Sequence, residues 1–279
     1  MELRESKIDA IGGIVLRGAD TMSVNIDFLG KKIVFVNPPD LVKGPIMEIL
    51  TDEELEVYVL MDHQKIPAIV AKYPDTIFFI NVDAVQVENE WQIFIENLNS
   101  VNPGIQIGIM SFKITDPEQV QYYLLDLGVS CGFIQLKQGT KAASDMMMKV
   151  LKANEVKGRR KYIRYQCNLE DRAAVNFSLF DTQVNGEILD ISSVGMSCTL
   201  GAHQGLVQNQ LIRNTQMRLR GVIVNTDVIL IGSRVVSGEQ SVYVFLFKAD
   251  AQAKVKEKVR FFIFNAFQKS FNKEFSLRQ

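Results

Sequence analysis

With 279 residues, 31 basic and 32 acidic side chains, the chain is long enough for two domains and too evenly charged for a general nucleic-acid binder. Its hydrophobic share of 47% is ordinary for a globular protein, and the greasy run Phe261-Phe262-Ile263-Phe264 falls far short of the ~20 residues that span a bilayer. The acidic start (Glu2, Glu5, Asp9) does not read as a secretory signal, and Cys131, Cys167 and Cys198 form neither a disulfide framework nor a metal signature, so a cytoplasmic protein without membrane insertion is expected.

Residues 1–30 resist assignment, although Val24–Phe28 alternates like an edge strand. From 31 to 151, short apolar runs alternate with helical stretches. Ile33–Val36 is continuously apolar, as in a strand buried on both faces, and Leu55–Met61, Thr76–Ile80, Ile105–Met110 and Gly132–Leu136 repeat the signal. A helix carrying Trp91 and Phe94 stops at Ser100–Gly104. Asp116-Pro117-Glu118 opens another, which ends near Gly128. Five βα repeats predict a flavodoxin-like parallel sheet with helices on both faces.

After Gly158 the texture changes to short alternating strands at 185–190, 196–200, 216–219, 222–231 and 242–247, with Asn185-Gly186 and Ser237-Gly238 as hairpin turns. Closely spaced strands predict a small antiparallel barrel over 166–279, and residues 152–165 are the linker. A final helix over 249–275 places Val255, Val259, Phe262, Ala266, Phe267 and Phe271 on one face, widened by Phe261, Phe264 and Phe275. Such a helix packs on the barrel. The surplus aromatics also suit a homodimer contact, as does the surface of the amino-terminal domain.

Two motifs carry chemistry. The linker reads Gly158-Arg159-Arg160-Lys161-Tyr162-Ile163-Arg164, and the barrel reads Asp190-Ile191-Ser192-Ser193-Val194-Gly195. A basic linker alone is usually solvated, and Asp, Ser and Gly alone usually make turns. Together they suit a small anionic guanine nucleotide. Arginine forks address guanine O6 and N7 or phosphate oxygens, and Asp190 can accept from the guanine N1–H and exocyclic amine. Ser192 can add a hydroxyl contact, and Gly195 lets the turn approach closely.

On these residues, over about 155–275, the chain resembles the PilZ family of cyclic di-GMP receptors, with RxxxR at Arg160 and Arg164 and DxSxxG at Asp190, Ser192 and Gly195. The resemblance implies a six-stranded barrel, a linker ordered by the ligand, a non-catalytic effector acting on a protein partner, and bacterial motility, adhesion or biofilm control as output. Arg159, just before the motif, implies two intercalated ligands per barrel. A ligand-independent scaffold with a degenerate barrel is the alternative. His63 and His203 stand isolated, and no catalytic arrangement is identifiable.

The region 31–151 resembles the receiver domains of response regulators, but Asn37-Pro38-Pro39 stands where paired acids are needed, and Asn81 lies near the phospho-acceptor position. Ser111 and Lys137 match the family's hydroxyl and lysine. Asp40 and Asp83 read as solvated loop acids, so no Mg²⁺ site and no phosphorylation are expected.

Overall fold

A computed structural model of the chain describes residues 30–84, 88–201, 205–237, 240–249 and 253–277. The expected edge strand Val24–Phe28, Gly238 of the expected second turn, and His203 lie outside the described residues.

The amino-terminal unit is a five-stranded parallel sheet in the order β2-β1-β3-β4-β5, built from β1 (Ile33–Val36), β2 (Val57–Leu60), β3 (Ile77–Asn81), β4 (Gln106–Ser111) and β5 (Phe133–Gln135). Side chains alternate between two cores because the strand period is two. Val34, Val36, Phe78 and Ile80 face one side, where α2 (Ile66–Lys72) and α3 (Glu88–Val101) supply Ile66, Ile69 and Trp91. Ile33, Phe35, Ile77 and Phe79 face the other, against Leu50 of α1 (Met47–Asp52) and Met147 and Leu151 of α5 (Thr140–Ala153). Between β4 and β5, α4 (Pro117–Gln121) begins as expected, with the Asp116 side chain accepting from Glu118 N at 3.1 Å and proline in the first turn.

The second unit is antiparallel. Strand β6 (Tyr165–Gln166) pairs with β8 (Thr182–Ser192). Strands β7 (Ala174–Leu179), β10 (Leu211–Leu219), β11 (Val222–Ser237), β12 (Gln240–Phe247) and β9 (Gly195–Leu200) continue round until β9 pairs back onto β8, closing a six-stranded barrel. Closure leaves these six strands without a bare edge. Val175, Phe177, Ile188, Met217 and Phe245 fill the interior.

One expected turn is displaced. Asn185-Gly186 lies inside β8, and the chain reverses instead at Phe180-Asp181, both left-handed at φ 47° and 62°, as a two-residue hairpin loop of that kind requires. Gly186 serves a different need: a Cβ there would lie 2.1 Å from the Thr199 carbonyl oxygen of β9.

Helix α6 (Ala253–Glu274) belongs to both units. Its first half sends Val255, Val259, Phe262 and Ala266 into the barrel core. Its second half reaches the parallel sheet, where Phe271 stacks on Tyr58 at 4.4 Å between ring centroids. Gln268 completes the edge of β2: its Oε1 accepts from Val59 N (2.8 Å) and its Nε2 donates to Val59 O (3.0 Å), as a neighbouring strand would. The aromatic surplus at Phe267, Phe271 and Phe275 thus packs within the chain, while Phe261 stays exposed. Among the described residues, no helix is long and apolar enough to cross a membrane.

Candidate functional site

The linker arginines reach the barrel through Tyr165. Burial of this ring is fixed by edge-on contacts with Phe262 (5.9 Å) and Phe267 (5.3 Å), and its hydroxyl donates to Asp171 at 2.9 Å. Burial, chiefly, pushes the Tyr165 phenol up to about 12, so it remains a donor. Asp171 is fully buried and also accepts from Asn168 N (2.8 Å) and from Arg220, whose Nε lies at 2.9 Å. A buried carboxylate is tolerable only when so fully met.

With Tyr165 anchored, the short pairing Tyr165↔Ile191 and Gln166↔Asp190 sets the register of the site. Arg164 then lies beside Asp190, Nη1 to Oδ1 at 3.8 Å, with side chains 50% and 25% exposed. Arg159 and Arg160 lie upstream, also exposed, on an irregular stretch. Asp190 is oriented from across the hairpin, because Ser197 Oγ donates to its Oδ2. Sequence reasoning did not single out Ser197. Counting outward from the Ser193-Val194 turn puts it opposite Asp190.

The remaining motif residues build the turn. Ser192 is buried, donates to Gly195 O at 3.2 Å and accepts from Val194 N at 3.4 Å, so its hydroxyl is engaged locally. Gly195 admits β12, since a Cβ there would sit 2.3 Å from the Phe245 carbonyl oxygen. Asp190 is therefore the group of this motif that is presented outward. Nearby thiols are quiet: burial, above all, pushes both Cys167 and Cys198 up to about 12, which disfavours the thiolate.

The linker is also tied to the other unit. Val156 O accepts from Lys31 N (2.8 Å), and Ile163 N donates to Glu54 Oε2 (3.1 Å). Between linker and sheet lies a cleft of about 40 Å³, bounded by Arg160, Tyr162 and Arg164 on one side and by Lys31, Glu54 and Glu56 on the other.

No protein-family model matches the chain, and no curated protein does. Solved structures do. The PilZ domain of YcgR from Escherichia coli with c-di-GMP is 18% identical, covers 42% of this chain and 96% of its own, and has a TM-score of 0.36. The c-di-GMP complex of MrkH from K. pneumonia is 16% identical over 42% of this chain, at a TM-score of 0.39. The Bacillus subtilis inhibitor of motility MotI/DgrA is 14% identical over 42%, at 0.34. The matched part spans little more than half of MrkH and MotI, 57% and 53%. What those proteins bind concerns their own function; the chemistry of this chain rests on its own residues.

At the carboxyl end of the parallel sheet, Asn81 Nδ2 donates to the Asn37 backbone O at 2.9 Å. Asp83 departs from the expected solvated acid. Its Oδ1 accepts from Ser111 Oγ and its Oδ2 from Phe112 N, both at 2.6 Å, which staples the loops after β3 and β4. Ser111 is thereby used in the staple. His63 is structural as well, buried against Trp91 (5.1 Å) and Phe94 (4.9 Å).

Proposed function

We propose that this protein is a non-catalytic effector that binds cyclic di-GMP at the barrel rim and signals through the linker to a protein partner. The observation that carries the reading is the pair Arg164 and Asp190, held side by side with partly exposed side chains and a loose 3.8 Å contact. Such an exposed pair contributes at most about 1 kcal/mol, so a ligand can exchange for it at small cost. The two groups are complementary to a guanine: the guanidinium fork to O6 and N7, the carboxylate to N1–H and the exocyclic amine. Arg160 and Arg159 supply further forks for phosphate or a second base, which fits two stacked ligands per barrel. Ser192 and Gly195 hold the turn that presents Asp190.

Ordering of the irregular stretch around Arg160 against the ligand changes how the linker meets the sheet domain, and so the orientation of the two units. The sheet domain then serves as a docking surface without phosphoryl transfer, and the output is control of bacterial motility, adhesion or biofilm from the cytoplasm. Calorimetric titration tests the reading. Cyclic di-GMP should bind at micromolar affinity or tighter. Cyclic di-AMP should bind at least about 100-fold more weakly, because adenine lacks the N1–H and amine that Asp190 reads. No heat with cyclic di-GMP would leave the ligand-independent scaffold as the function.

A further inference from the structure

Helix α1 ends in a Schellman turn: Glu54 N donates to Thr51 O (3.0 Å) and Leu55 N to Leu50 O (3.1 Å). Glu54 occupies its left-handed position, at φ 58°, where glycine is at ease and a side chain is not. The side chain it does carry reaches across the junction. Its Oε1 accepts from Ser193 Oγ at 2.6 Å and from Arg260 Nε at 3.2 Å, and its Oε2 accepts from Ile163 N at 3.1 Å. Those donors come from the DxSxxG turn, from α6 and from the RRxxxR linker. Arg260 adds Nη1 to Asp52 Oδ1 at 2.7 Å. The Glu54 side chain is 10% exposed. One carboxylate of the sheet domain thus holds both ligand motifs at once.

We propose that Glu54 is a latch that holds the linker against the sheet domain and competes with the ligand. The inference rests on the reading of Arg160 and Arg164 as ligand groups. The cleft behind these arginines has about 40 Å³, room for a few water molecules. Its far wall is formed by Lys31, Glu54 and Glu56, with Glu54 paired to Arg260 and Glu56 to Lys32, and the linker is tied to it between Arg160 and Arg164 by the Ile163 N–H on Glu54. For Arg160 and Arg164 to close on a cyclic dinucleotide, the linker has to leave Glu54. Apparent affinity is then reduced by the fraction of molecules that are unlatched. Glu54 is a positioning residue and touches no ligand.

Glu54→Gln keeps the size of the side chain and removes its charge, and Arg260→Gln breaks the same clasp from α6. Full-length wild type and both variants are titrated with cyclic di-GMP and, without ligand, measured by small-angle scattering. Both variants should bind about 5- to 10-fold more tightly than wild type, and their unliganded radius of gyration should already match that of liganded wild type. A second variant guards against one that fails to fold. Equal or weaker binding by the variants, with wild type binding, would overturn the latch and spare the ligand reading. If wild type does not bind, the ligand reading fails, and the scattering decides the latch: an unchanged radius in both variants refutes it.

Discussion

Asp83, just after β3 at the carboxyl edge of the parallel sheet, and Asp190, near the end of β8 at the rim of the barrel, both meet a serine hydroxyl, yet their second oxygens differ. Asp83 closes on the Phe112 backbone N–H at 2.6 Å, within its own pair of loops. Asp190 leaves its second oxygen to Arg164 at 3.8 Å, on an exposed and irregular linker. The first carboxylate is consumed by the fold. The second is oriented by Ser197 and otherwise open to exchange. A carboxylate with a weak, exposed counter-charge suits a ligand site, whereas one whose two oxygens are both held within its own pair of loops is engaged by the fold.

The comparison can be broken from either side. The largest effect is expected at the rim: Asp190→Ala should weaken cyclic di-GMP binding about 100-fold, some 2–3 kcal/mol, by leaving a guanine edge unread. Its melting temperature should fall only by what the Ser197 hydroxyl loses with its acceptor, about 1 kcal/mol, which a thermal scan beside the titration would show. Asp83→Ala should behave in the opposite way, costing about 1–3 kcal/mol of stability in urea because Ser111 and the Phe112 N–H lose their acceptor. Its ligand affinity should stay within about twofold of wild type, because the two sites share no contact. A loss of binding with stability intact would show that the sheet edge takes part in ligand recognition.

The smallest effect concerns pH. Burial lowers His63 from its ordinary value of 6.5, against a weaker upward pull from Asp62. The unfolded chain therefore takes up the proton first as pH falls. Stability from this group is fully present above 6.5 and is lost progressively below it. Urea midpoints at about pH 5.5 and 7.5 should differ in that direction, and His63→Gln should flatten the difference. An equal slope in the variant would assign the pH dependence to other groups.

Much of this was legible in the sequence where the physics is local. The continuous apolar runs at Ile33–Val36 and Ile77–Ile80 became strands buried on both faces. The change to alternation after Gly158 marked the barrel, though β7 passed unnoticed despite alternating Val175, Phe177 and Leu179 inward. The Asn185-Gly186 pair misled because it carries the strongest hairpin signal, yet its glycine answers to a crossing strand. The actual reversal at Phe180-Asp181 uses residues with no such signature. The fold brings Arg164 of the first motif beside Asp190 of the second. Their local roles were not legible: Ser192 and Gly195 shape the turn, Ser197 aims Asp190, and Glu54 grips the linker from more than a hundred positions away. Contacts of that range leave no period or spacing to read.

The central claim, that the rim and linker form a guanine-nucleotide site, is tested most directly by calorimetry on the double variant Arg160→Ala/Arg164→Ala. Wild type should bind cyclic di-GMP at micromolar affinity or better, and the double variant, with its fold verified by an unchanged melting curve, should give no heat of binding. Micromolar affinity retained in the double variant would contradict the account.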